Sequence, residues 1–146
     1  MRRVLILGNS GSGKSTLAAR LGAELNAPVL DLDTLVWEPG RIAVARPAGE
    51  VRSDLREFCT RHEAWIVEGC YGDLADVVLD GRTELLLLNP GEETCVAHCR
   101  SRPWEPHKYA SKEEQDARLE LLVAWVRDYY HRDGPLSLVG HRAVYD

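Results

Sequence analysis

Residues 8–15 of the chain read Gly-Asn-Ser-Gly-Ser-Gly-Lys-Ser. An apolar run, 4–7, precedes them, and a stretch with Leu17, Leu21 and Leu25 at i, i+4, i+8 follows. The octet meets the spacing G-x-x-x-x-G-K-[ST] at every fixed position, in the required order of strand, loop and helix. The chemistry accounts for the residue types. Glycines at 8, 11 and 13 let successive backbone N–H groups turn inward around a phosphate, and the helix that begins near Lys14 adds its positive dipole end. Lys14 reaches the β- and γ-phosphates, the Ser15 hydroxyl ligates magnesium, and Thr16 offers a hydroxyl to the α-phosphate. Gly8, Ser10, Gly11, Ser12, Gly13, Lys14, Ser15 and Thr16 are thus the expected contacts of a nucleoside triphosphate, ATP with Mg2+.

A loop of this kind requires an α/β architecture, and the rest of the chain supplies one. Short apolar runs bounded by turn formers predict strands at 4–7, 29–32, 64–67, 83–88 and 136–139. Helical periodicity predicts helices at 15–25, 50–61, 92–101 and 112–130. Pro39, Gly40 and Pro47 make 34–48 irregular, 73–79 reads as weak helix or loop, and Pro103 and Pro106 mark 102–111 as a mobile segment. Five buried strands alternating with helices imply a parallel sheet covered on both faces, in a single domain spanning 1–146.

Composition narrows the function. The net charge is −5, from 18 basic and 23 acidic residues, which disfavours direct nucleic-acid binding because proteins that grip many backbone phosphates usually present a basic face. Cys59, Cys70, Cys95 and Cys99 form no C-x-x-C pair and have no zinc-finger spacing. Reduced, packed thiols are the expectation. The residues before the glycine loop are too few for a signal peptide, and no apolar run nears the ~20 residues of a membrane span. Both point to the cytoplasm.

Two further stretches carry a resemblance. One is Asp31-Leu32-Asp33-Thr34-Leu35-Val36-Trp37-Glu38-Pro39-Gly40; the other is Trp65-Ile66-Val67-Glu68-Gly69-Cys70-Tyr71. With the glycine loop, they resemble small P-loop kinases of the adenylate kinase and shikimate kinase type. They resemble most closely the adenylate-kinase-like bacterial proteins labelled DNA topology modulation factors. The resemblance implies a P-loop NTPase fold with its five-stranded sheet in the order 2-3-1-4-5. It also implies a kinase that moves the γ-phosphate of ATP to a small-molecule acceptor. Asp31, Asp33 and Glu68 follow or end strands, so they should lie beside the loop, where open α/β sheets bind ligands. By resemblance, Asp33 takes the acceptor hydroxyl, while Asp31 or Glu68 holds magnesium through water. Arg100 and Arg102 fall where such kinases place lid arginines, with the lid itself at about 102–111.

Departures are equally visible. Glu68-Gly69-Cys70 stands where shikimate kinases have a glycine triplet, which argues against shikimate as acceptor. Arg52 and Arg56 read as solvated helix residues, and no arginine set for an acceptor phosphate is apparent. Asn89 ends the fourth strand where a Walker B aspartate would stand. His131-Arg132-Asp133 mimics a protein-kinase triplet in the wrong context, since the glycine motif is a Walker A. Two rivals remain open: a non-kinase ATPase or nucleotide switch regulating a partner, and a nucleoside or nucleotide kinase.

Overall fold

The computed structural model describes residues 2–39, 44–79, 83–106 and 108–145. Four parallel strands form one sheet. β1 (Arg3–Gly8) lies between β3 (Trp65–Gly69) and β4 (Thr83–Leu88), and β2 (Val29–Asp31) adds outside β3, giving β2-β3-β1-β4. This is the expected order over its first four positions. Among the described residues the sheet is accompanied by eight α-helices: α1 (Lys14–Leu25), α2 (Asp33–Val36), α3 (Ala48–Arg61), α4 (Ala75–Val78), α5 (Glu92–Arg100), α6 (Lys112–Ala117), α7 (Leu119–Asp128) and α8 (Leu138–Tyr145).

Strand alternation divides the core. Leu5 and Leu7 of β1, with Val67 of β3, face Val51 and Leu55 of α3 and Ala75 and Val78 of α4. Val4, Ile6 and Ile66 point the other way, onto Ala18, Leu17 and Leu21 of α1. Both sets are apolar because a parallel sheet buries both faces. A third cluster joins α5 to α7 through Cys95, Val96, Cys99, Val123 and Val126.

Two expectations are corrected. Residues 136–139 form no strand. Ser137 Oγ takes the first-turn amide of Gly140 at 3.0 Å, while Ser137 N–H and Oγ both donate to the Gly134 carbonyl. A serine cap therefore starts α8, overriding the strand preference of the leucine–valine run. α8 packs on β4 and β1, with Val144 and the preceding Leu136 against the core, so the sheet has four strands among the described residues. Helix 112–130 is also broken, at Arg118, whose amide bonds back to Gln115 and Asp116. Neither proline nor glycine marks that break in the sequence. The irregular stretch 34–48 overlaps one short helix, α2, and its residues 40–43 lie outside those described, as does residue 107 of the segment 102–111.

α8 also carries a buried histidine. His141 is fully buried, with Nδ1 2.8 Å from Tyr129 Oη and Nε2 2.7 Å from the Cys70 carbonyl. A carbonyl only accepts, so Nε2 bears the proton and Nδ1 accepts from the tyrosine. Burial pushes the His141 pKa below its ordinary value of 6.5. Below that pH the unfolded chain binds a proton that the folded one resists, so stability falls as the solution is acidified, by at most about 1.4 kcal/mol per pH unit. Thermal melts at about pH 7.5 and about pH 5.5 should show a larger loss of Tm for the wild type than for His141→Gln. Equal losses would place the acid sensitivity elsewhere.

Candidate active site

The loop 8–15 leaves the carboxyl end of β1 and enters α1 at Lys14. Gly11 and Gly13 adopt φ of 78° and 95°, the left-handed region that L side chains resist. Gly11 also touches α5: a Cβ there would lie 2.2 Å from the Cys95 carbonyl oxygen and 2.9 Å from Cys99 Sγ. His98 of α5 fixes the same residue, with Nδ1 2.6 Å from the Gly11 carbonyl, which accepts. Asn9 ties the loop to α7, donating through Nδ2 to the Val126 carbonyl at 3.0 Å and accepting the Ser10 amide at 2.9 Å. Lys14 Nζ donates to the Asn9 carbonyl at 2.8 Å, and Ser12 Oγ is buried with no hydrogen-bond partner among the described residues. A loop held from three sides around a lysine and an orphan hydroxyl suits a polyanion.

The carboxylates gather beside it. Asp31 and Glu68 are register partners on adjacent parallel strands. Glu68 is buried and accepts the Ser15 hydroxyl. Burial and the Asp31 charge raise its pKa, against the pull of Ser15 and Lys14. Among the described residues no group of three or more His, Cys, Asp or Glu side chains could enclose a metal ion. Magnesium fits such a place when phosphates and water supply most of its shell, because it keeps several waters and takes only one or two carboxylates. Ser15, Asp31 and Glu68 match that requirement. Thr16, in the first turn of α1, is exposed.

Asp33 opens α2 and is the centre of a hydrogen-bonded chain. Its amide bonds Asp31 Oδ1 at 2.9 Å. Trp37 Nε1 donates to Tyr71 Oη at 2.9 Å, and Tyr71 Oη donates to Asp33 Oδ1. Lys108 Nζ sits 2.8 Å from Asp33 Oδ2 and 3.3 Å from Glu105 Oε2, while Arg102 pairs with Glu105 at 3.3 Å. Burial alone would raise the Asp33 pKa, but Lys108, Tyr71 and Lys14 outweigh it and hold the carboxyl below its ordinary value. Burial likewise opposes the Lys108 charge, and Asp33 and Glu105 overcome it, so the ammonium persists. The Cys70 thiol is pushed up to about 11, chiefly by burial, and stays neutral.

A cavity of 490 Å³ is lined by Ser10 and Asp33, by Arg102, Glu105, Lys108 and Tyr109, and by residues of the α6–α7 pair. Arg100 points elsewhere and pairs with Glu120 at 2.7 Å on the surface. Lys108 and Glu105 carry no expectation from the sequence, and Trp37 and Tyr71 serve there only as marks of resemblance. The i, i+3 spacing of Glu105 and Lys108 signals a local ion pair, but nothing local signals a partner at residue 33. No helix is long and apolar enough to cross a membrane among the described residues.

The fold and loop define a P-loop α/β protein of kinase-like architecture. The structure is similar to a sugar kinase from Janibacter sp. (TM-score 0.54, 17% identity, 86% of this chain and 91% of that one). It is also similar to a shikimate kinase from Bacteroides thetaiotaomicron (0.52, 19%, 87% and 78%) and a gluconokinase from Sinorhizobium meliloti (0.52, 17%, 94% and 78%). In sequence, 60 residues are 37% identical to a tRNA dimethylallyltransferase of Helicobacter pylori, covering 40% of this chain and 19% of that protein. A tRNA dimethylallyltransferase of Wolinella succinogenes is 42% identical over 59 residues, covering 40% and 20%. The match thus spans about a fifth of those relatives' length. No family model matches the chain.

Proposed function

We propose that this chain is an ATP-dependent kinase that transfers the γ-phosphoryl group of ATP to a hydroxyl of a small-molecule acceptor. The observation that carries the reading is the shared cleft: Ser10 of the phosphate loop and an ionised, hydrogen-bonded aspartate, Asp33, border one cavity. A nucleotide switch has no use for such a pocket beyond its phosphates. The resemblance of residues 31–40 and 65–71 to proteins labelled DNA topology modulation factors stands beside this reading and names no acceptor.

The roles follow from charge and geometry. Loop amides and Lys14 bind the β- and γ-phosphates. Magnesium, when bound, neutralises phosphate charge, held by Ser15 and, through water, by Asp31 or Glu68. Asp33 orients the acceptor hydroxyl; Tyr71 and Lys108 take one position on each oxygen, and a carboxylate retains further lone pairs for a third donor. The hydroxyl oxygen bonds to the γ-phosphorus as the β–γ bridge oxygen leaves with ADP, and the hydroxyl proton passes to Asp33. A carboxylate held below its ordinary pKa suffices, because phosphoryl transfer has a loose transition state that needs orientation more than early deprotonation. Arg102 and Lys108 stand where they can neutralise the transferring group. Arg100 joins them only by leaving Glu120. The free thiols Cys59, Cys70, Cys95 and Cys99 suit a reducing cytoplasm.

The similarity to tRNA dimethylallyltransferases supports a second reading, transfer of a dimethylallyl group to tRNA. One experiment separates the possibilities. ADP release is measured with nucleotides, sugars and hydroxy acids, and tRNA is assayed separately with dimethylallyl diphosphate. Acceptor-dependent ADP release, at least about tenfold over water alone, is the expected result. ADP release that no acceptor stimulates would favour the ATPase or switch, and modified tRNA would favour the second reading.

A further inference from the structure

The cavity walls specify an acceptor more narrowly, provided that this cavity is the acceptor site. Two tryptophans face it while remaining substantially exposed, Trp37 at 36% and Trp125 at 42%. Each ring has a polar partner that orients it. Trp37 is tied through Nε1 to Tyr71, which also holds Asp33. Trp125 carries the Arg132 guanidinium 3.5 Å from its ring centroid, and Arg132 is itself anchored to the carbonyls of Trp125 and Leu136. Leu119 and Leu122 extend the apolar wall along the same stripe of α7 as Trp125. Large, oriented aromatic surface left open to a cavity is suited to covering a flat or apolar ring.

Several polar groups of the cavity are spent on each other. Lys108 is shared between Asp33 and Glu105, and Arg102 pairs with Glu105. Gln115, which could read a sugar hydroxyl, is used at both ends: Oε1 accepts the Glu105 amide at 2.8 Å, and Nε2 donates to the Pro103 carbonyl at 3.0 Å. Arg118 is exposed and lines the cavity at the break between α6 and α7, and its guanidinium has neither ion pair nor hydrogen bond among the described residues. An uncommitted guanidinium calls for a planar or tetrahedral anion, which it can bind through two parallel hydrogen bonds.

We propose that the acceptor is an alcohol built on a flat or apolar ring and bearing an anionic group, with the ring against Trp37 and Trp125 and the anion on Arg118. The Trp37–Tyr71–Asp33 chain then sets the spacing between the ring surface and the group that receives the hydroxyl. The anion is a carboxylate or a phosphate ester; both satisfy a guanidinium, and the panel below separates them. Open-chain polyols are poorly matched, because they offer no ring to the two tryptophans.

Binding is measured without ATP, by calorimetry and by quenching of tryptophan fluorescence. The probes are nucleoside 5′-monophosphates against their nucleosides, ring hydroxycarboxylates against their amides, and gluconate and sorbitol as ringless controls. At least one ring acid should quench the fluorescence and bind about tenfold or more tightly than both its neutral counterpart and gluconate. Arg118→Gln should abolish the preference for the acid over its neutral counterpart, and Trp125→Leu should weaken both alike, with circular dichroism confirming that each variant folds. Equal binding of acid and neutral forms, tighter binding of gluconate or sorbitol, or no binding by any ring acid overturns the proposal. A ring acid that binds in this way but is never phosphorylated with ATP leaves the cavity assignment standing and removes the kinase reading instead.

Discussion

Lys14→Ala is expected to lower ATP turnover by about 100- to 1000-fold, the scale seen when one preorganised donor to a developing anion is lost. The chain should still fold. Among the described residues Lys14 Nζ bonds only the Asn9 carbonyl and takes part in no core cluster. Removing one such hydrogen bond costs about 1 kcal/mol. The Asn9 side-chain bonds to Val126 and Ser10 remain to shape the loop. Turnover is read by ADP release and folding by thermal melt. A folded variant with near-normal turnover would show that the lysine does not serve the phosphates, and the loop would need another ligand.

Asp33→Asn separates acceptor chemistry from nucleotide binding. The amide keeps the size of the carboxylate and can still accept from Tyr71, but it loses the Lys108 ion pair and the capacity to receive a proton. The Lys108–Asp33 pair is only about a quarter exposed on each side chain, and Lys108 retains Glu105, so a modest loss of stability, on the order of 1 kcal/mol, is expected. ATP affinity by calorimetry should stay within a few-fold of wild type, since the loop is untouched. Transfer to an identified acceptor should fall by about 100-fold or more. Loss of ATP binding would instead assign Asp33 to the metal and exchange its role with that of Asp31. Full transfer activity would mean that the hydroxyl is oriented by another group.

The parts of this site differ in how plainly the sequence announces them. The phosphate loop is written in eight consecutive residues, because backbone conformation and helix entry are local matters. The first four strand positions follow from apolar runs, since a strand buried on both faces has a signature in its own composition. Residues 136–139 have the same composition and form no strand: Ser137 caps a helix there, and a single hydroxyl bond to the Gly140 amide outweighs four residues of strand preference. The break at Arg118 has no local mark. Lys108 could not have been assigned from its neighbours, because its meaning lies in Asp33, which is far away in the chain and 2.8 Å away in space. Arg100 and Arg102, two residues apart, looked equivalent in the sequence; helix geometry sends the first to Glu120 and the second to the cavity.

α5 gives the molecule a mechanical property. One flank of this helix is jammed against Gly11, by the Cys95 carbonyl and by His98, and its end at Arg100 is the root of the stretch that carries Arg102, Glu105 and Lys108. The helix is a strut with the phosphate loop seated on its flank and one wall of the cavity hung from its tip. The loop and that wall are thus joined through the nine residues of a single helix, with His98 as the pin of the joint.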